Sequence, residues 1–443
     1  MTTTPQPPVP SRIATVSWVL LDWAASAFST VSITLLVAYV ERIVFADRAW
    51  GVPGGVVWAW TMAAAMLVSA VLAPFLAAWA DRNRGHRRAL VGSVAAGGGA
   101  CLLLAAVPPS ARLAVAAAIV AAHVGFDMAA IFTGSLLPRI ATGGRADRLS
   151  AAGFAAGYAG GALALVIAAA VVAAHDRFGL TAAGGLRLAF ALTGGWWLLF
   201  SLPAACTRFG DGEPETHAGT SAGELLAFAR DLWRPPASDR ASGRLSGMDD
   251  QPAAQATGDA AEPLGAVLLG AVLVLGAVQT AIAQFSSVAL EQFHLDGPAL
   301  VRLVLLVQAV ALPGALLVGS ISSRFGRGRA LEICVVGWIA VLTLAWFITT
   351  PAQLHALAVL LALVLGGVQS VIRATVAGLA PQGRFGATFG LLQVGTKLAG
   401  FVASLAFGLL YQFTGDARSG LLALLVQLLA GWWALAGRRK NGP

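Results

Sequence analysis

Nearly all of this 443-residue chain is a succession of uncharged apolar runs, each long enough to cross a bilayer, and that pattern decides what it can fold into. A helix needs about 20 mainly apolar residues to span roughly 30 Å of hydrocarbon. Only helices and closed barrels satisfy their own backbone polar groups there. Divided at its charges, prolines and glycine clusters, the sequence gives twelve runs, near residues 13–40, 56–80, 89–107, 112–137, 149–174, 186–207, 264–290, 299–321, 329–349, 353–376, 386–412 and 419–436. The third and fourth are parted only by the Pro108-Pro109-Ser110 turn. With 58% hydrophobic and 11% charged residues, against about 25% charged in a soluble domain, the chain has too little polar surface to face water. The expected fold class is all-α integral membrane, twelve transmembrane helices in a lipid bilayer.

The charges are almost all arginine. Of 29 basic residues only Lys397 and Lys440 are lysine, and they fall in short groups between spans. A nucleic-acid surface would gather them with aromatics on one soluble face, so nucleic acid is excluded as a partner. Loops on the cytoplasmic side are enriched in Arg and Lys. With both termini on that side, twenty basic residues lie in inside segments and seven in outside ones. The expectation is a multi-pass protein of a bacterial cytoplasmic membrane with both termini cytoplasmic. Residues 1–12 are rich in Pro and Thr, and the run after them is longer than a signal-peptide core, so it stays as a membrane helix. Cys101, Cys206 and Cys334 are isolated, as small buried hydrophobes are, and no metal or redox spacing appears.

One long polar interval, 208–263, divides the spans six and six, giving an N-terminal bundle (1–207), a linker and a C-terminal bundle (264–443). Within the linker, 221–234 has the pattern of an amphipathic surface helix. The second and eighth spans end in matching basic turns: Ala77-Ala-Trp-Ala-Asp81-Arg82-Asn-Arg84-Gly85-His86-Arg87-Arg88, and Ser323-Arg324-Phe-Gly326-Arg327-Gly-Arg329. Such repetition between halves marks a transporter built from parallel repeats, here two pseudo-symmetric six-helix bundles.

The first of these turns resembles the loop signature of the major facilitator superfamily, with Ala77 at a glycine position and one extra residue before Gly85. The resemblance implies a conformational latch formed by Asp81, Arg82, Arg87, Arg88 and Arg324. A second resemblance covers nearly the whole chain. Leu21-Asp22-Trp23-Ala24-Ala25-Ser26-Ala27-Phe28 in span one is similar to the Tyr-Asp-Trp-Ala-Asn-Ser-Ala-Phe signature of the autophagy-related vacuolar-effluxer-like branch, Leu21 and Ala25 replacing Tyr and Asn. Gly134-Ser-Leu-Leu-Pro138, Gly153-Phe-Ala-Ala-Gly157-Tyr158-Ala-Gly160-Gly161, Gly366-Gly367-Val368-Gln369-Ser370 and Phe389-Gly390 resemble further segments of that branch. The resemblance implies efflux of amino acids or similar small polar metabolites.

Ionisable residues inside spans are costly, and they face a cavity, a pathway or a partner. Four stand out here: Asp22, Asp127, Arg373 and Lys397. In the superfamily architecture spans one, four, seven and ten surround the path and span eleven helps close it. Both acids then come from one half and both bases from the other, which makes a charge pair across the cavity a natural gate. Gln279 and Gln369 join them as the substrate and proton pathway. Gln284, Gln308 and Gln393 are further amides, able to read a solute or to bind helices together. His123, a turn before Asp127, reads as a structural histidine. Gly153, Gly157 and Gly161 recur every four residues, baring one face of span five for close helix packing or for sliding.

Gly219-Thr-Ser221-Ala-Gly223 has the letters of a nucleophile elbow, but it lies in the linker without a strand before it. No phosphate loop is present, so ATP does not drive this chain. The chain is therefore expected to be no enzyme and to need no cofactor. The expected activity is secondary active transport by a monomer, using alternating access and a gradient, protons first among them. An exporter of amphipathic drugs or lipids, and a receptor that keeps the fold without transporting, are the two alternatives that the residues leave open.

Overall fold

Each apolar run becomes one helix in the computed structural model, which describes residues 12–141, 144–209, 230, 264–379 and 385–436. The helices are α1 (Arg12–Val44), α2 (Gly54–Arg82), α3 (His86–Ala106), α4 (Arg112–Ile140), α5 (Gly144–Ala173), α6 (Ala182–Cys206), α7 (Leu264–Gln292), α8 (Gly297–Phe325), α9 (Arg327–Leu344), α10 (Pro351–Leu379), α11 (Phe385–Thr414) and α12 (Ala417–Ala436). All twelve expected runs are helical, and among the described residues eleven of the helices are long and apolar enough to cross a membrane, α9 being the exception. Two differ in length from the expectation. α9 stops at Leu344, five residues short, and gives way to turns at 345–347. α1 runs on past residue 40 because it absorbs two π-helical turns, Ser32–Leu36 and Val40–Val44. The linker 208–263, with its amphipathic stretch 221–234, lies outside the described residues apart from 208, 209 and 230.

The helices are apolar on all sides, as they must be when one face meets protein and the other lipid. Leu199, Leu316, Val426 and Phe413 stand exposed on the outer surface, whereas Trp58, Trp197, Trp338, Phe132 and Phe407 fill the interior. Helix ends follow ordinary capping rules. The Asp296 carboxylate accepts from Ala299 N at 2.7 Å to start α8, and Gly326, at φ +86°, makes the sharp break between α8 and α9. Pro74, Pro203 and Pro313 lie inside α2, α6 and α8, where neighbouring helices tolerate them.

The first six and last six helices form two bundles, and they meet mainly through α2 against α11, α1 against α7 and α5 against α8. Hydrogen bonds between the bundles are found at mid-membrane and toward the end where α1 terminates. Gln308 Nε2 donates to Thr30 Oγ1 at 3.1 Å, Trp58 Nε1 to the Ala283 carbonyl at 2.9 Å, and the Arg42 guanidinium to the Leu295 carbonyl. At the opposite end, which carries the arginine-rich turns, Arg82, Arg87, Arg88, Arg324 and Phe325 are exposed. Cys101 and Cys334 are buried as expected. Cys206 is exposed, because α6 ends there.

Candidate functional site

α4 and α11 carry their charged residues near mid-membrane, and the bundles bring them together. Lys397 Nζ donates to Asp127 Oδ1 at 2.7 Å and to Gln279 Oε1 at 3.4 Å, and Ser69 Oγ donates to Asp127 Oδ2 at 2.7 Å. Four helices, α2 and α4 from one half and α7 and α11 from the other, thus converge on one ion pair. The side chains of Lys397 and Asp127 are 20% and 12% exposed, so the pair is desolvated enough for its charges to matter and open enough for a ligand to compete. Charge-assisted hydrogen bonds of this length are the stronger kind.

A second pairing lies nearer the arginine-rich end. Asp22 of α1 and Arg373 of α10 attract one another across the halves. The Arg373 guanidinium also stands 5.7 Å from the centre of the Phe154 ring of α5, in cation–π range. Arg373 is exposed despite these partners, and Phe154 is 47% exposed, as groups lining an open space are. Both acids therefore come from the first half and both bases from the second. Of the amides, Gln279 joins the ion pair and Gln369 is half-buried on α10. Gln308 ties the halves through Thr30, while Gln284 is buried on α7 with neither amide atom hydrogen-bonded.

His123 is held in place rather than poised. Its Nδ1 donates to the Ile119 carbonyl at 2.9 Å, so Nε2 of the neutral ring accepts from Ser32 Oγ at 2.9 Å. Phe28 and Trp58 pack edge-on against it. Two of the arginines named for the latch, Arg87 and Arg82, make contacts within their own half. Arg87 Nη1 donates to the Ala205 carbonyl at 2.6 Å and Arg82 Nε to that of Ala78 at 3.2 Å. The side chain of Asp81 lies outside the described residues.

The glycine strip of α5 packs on α1 for most of its length. A Cβ at Gly157 would stand 2.6 Å from Ser26 Oγ, and one at Gly153 would abut the Asp22 carboxylate and the Trp18 ring. Only at Gly161 does the strip also approach the other half, through Gln308. The close approach between halves is made instead by a strip that the sequence reading passed over, Gly400, Ser404 and Gly408 of α11. Ser404 Oγ lies 3.8 Å from Met66 Sδ, and a Cβ at Gly408 would stand 2.7 Å from the Trp60 indole of α2. The same four-residue spacing was its signal, hidden by the serine. Gly408→Leu is expected to force α2 and α11 apart here. With Cys206 changed to Ser, maleimide labelling of Ala59→Cys, at a fully buried position facing Gly408, should rise about tenfold, equivalent to about 1.4 kcal/mol of overpacking.

Comparison with known proteins gives a consistent result. A family profile described as "Vacuole effluxer Atg22 like" matches residues 57–229 and 265–437. The MFS-type transporter YxiO of Bacillus subtilis strain 168 is 24% identical over 95% of this chain and 93% of its own length. Autophagy-related protein 22 of Cryptococcus neoformans is 26% identical over 64% of this chain and 51% of its own length. Among solved structures, a D-xylose–proton symporter superposes with a TM-score of 0.68 over 96% of this chain and 97% of that one at 13% identity, a likeness of fold.

Proposed function

We propose that this chain, which belongs to the vacuole effluxer Atg22-like family and has the fold of a major facilitator transporter, moves a small zwitterionic solute such as an amino acid by proton-coupled alternating access. The observation that carries the reading is the Lys397–Asp127 pair, a directly hydrogen-bonded charge contact that joins helices of both halves. An incoming carboxylate competes with Asp127 for Lys397, and an amine or a proton competes with Lys397 for Asp127. Either event loosens the contact between the halves, which gives the ligand the differential affinity for two states that a conformational change requires. The Asp22–Arg373 pairing offers a second, similar choice nearer the arginine-rich end.

On the positive-inside rule the arginine-rich end faces the cytoplasm. The described state is then shut on the outer side, with Arg373 reached from within, the loading state of an effluxer. Phosphate loops are absent from the sequence, so a gradient supplies the energy. The test is uptake of labelled amino acids and other metabolites into proteoliposomes, with and without an imposed pH gradient, by wild type, Asp22→Asn and Lys397→Ala. One solute class should move with wild type, faster with the gradient, and both variants should fall to the rate of protein-free liposomes. Equal transport by all three proteins would remove the charges from the mechanism.

A further inference from the structure

Among the described residues Glu41 is the one acid that is buried outright, at 7% exposure, and its Oε1 makes no hydrogen bond. It sits on the seam between halves at the end that is shut. Gly55, in the first turn of α2, lies so close that a Cβ there would be 3.2 Å from Glu41 Oε1, 2.7 Å from Ser287 Oγ of α7 and 2.8 Å from Tyr411 Cε1 of α11. Helices of both halves thus enclose the carboxyl. Ser287 Oγ, buried beside it, is the polar side-chain group of the opposite half that acts on the carboxyl.

Among the described residues the cation that acts on this group is Arg42, and it is turned to solvent rather than buried against the carboxyl. Arg42, its neighbour on α1, is exposed and donates across the seam to the Leu295 carbonyl. Glu291 of α7 adds a second acid, and the Tyr411 hydroxyl of α11 is engaged with Glu291. Arg48, which acts on Tyr411 from the loop after α1, is exposed. α2 brings Gly54 and Gly55 against Glu41, neither of which carries a charge. An ionised carboxylate buried beside a second acid, with only an exposed arginine to offset it, is costly in such a place, and a carboxyl answers that cost by keeping its proton.

We propose that Glu41 is a proton-binding site of the seam, loaded while the halves are shut at this end and emptied when they part. On opening, water enters, the O–H bond of the carboxyl breaks, and the proton passes to that water and so to the solution on this side. Closing reverses the step. Because the shut state binds the proton more tightly than the open one, acid on this side favours shutting and alkali favours opening. The site is separate from the Asp127–Lys397 pair and gives the cycle a proton-linked step of its own. It rests on the alternating-access reading.

The test uses nitroxide labels at Ala49→Cys, in the loop after α1, and Pro298→Cys, at the start of α8, both exposed positions, with Cys206 changed to Ser. Distances are measured by pulsed electron resonance on the full chain in lipid nanodiscs from about pH 5 to about pH 9, a range that brackets carboxyl titration in folded proteins. The long-distance population should grow with pH in the parent and in Glu41→Asp. It should lose its pH dependence in Glu41→Gln, which is isosteric and should elute as the parent does on gel filtration. The same pH response in Glu41→Gln, or a shift produced by sodium at fixed pH, would overturn the assignment of Glu41 alone. A single short distance in the parent at every pH, with and without amino acids, would overturn alternating access and this proposal with it.

Discussion

Asp127→Asn is expected to lower the stability of the folded chain by about 3 to 5 kcal/mol, because it leaves the Lys397 ammonium largely buried without its 2.7 Å partner. Lys397→Gln should cost a similar amount from the other side, stranding the Asp127 carboxylate with Ser69 as its remaining donor. The double variant tells more than either single change. With both charges gone, two amides occupy the place of an ion pair, and most of the lost stability should return. Transport should not return, since neither amide exchanges a proton or attracts a charged group of the solute. Thermal unfolding in detergent and proteoliposome uptake, run on the four proteins of the cycle, separate the two roles. Recovery of transport along with stability would make the pair a structural pin.

The second large effect is expected at Gly160. A Cβ there would stand 2.6 Å from the Trp23 carbonyl oxygen and 3.1 Å from its Cα, so relief requires α1 and α5 to separate. Gly160→Ala should therefore cost about 1 to 3 kcal/mol as overpacking of a tight contact. Gly157→Ala should cost distinctly less, because its nearest neighbour at 2.6 Å is the Ser26 hydroxyl, which can rotate away. Midpoints of thermal unfolding, compared between the two variants, give the order. A larger loss for Gly157→Ala would reverse the assignment of which glycine sets the helix separation.

What the residues disclosed in advance depends on how far apart the interacting partners lie in sequence. A membrane span is written in consecutive residues, and all twelve were legible for that reason, even across the Pro108-Pro109 turn. Asp22, Asp127, Arg373 and Lys397 were equally plain, as charges in apolar surroundings. Which acid meets which base was not, since Asp127 and Lys397 are 270 positions apart and their meeting depends on the register of two bundles. Ser69 gave no signal at all, being one small hydroxyl among many on membrane helices. Gly160 was overlooked beside the regular Gly153, Gly157 and Gly161 because the face bared to α1 is wider than one four-residue row. Glu41 fell just beyond the first span as read, where an acid looks like the start of a loop. It belongs instead to a helix that two π turns carry on to Val44.

Those π turns also set the phase of the helix. Asp22, Ser26 and Thr30 repeat every four residues along the face of α1 that meets α5. Eleven residues make just over three α-turns, so an uninterrupted helix would bring Glu41 back beneath Thr30, facing α5. The residue added by the turn at Ser32–Leu36 rotates everything after it by about 100°, and Glu41 comes round to Ser287 and Tyr411. One rod thus presents its first face to its own bundle and its last to the opposite one. Deleting one residue between 32 and 36 would straighten the phase and aim the Glu41 carboxyl back at α5, away from Ser287 and Tyr411, with Glu41 itself still in the sequence.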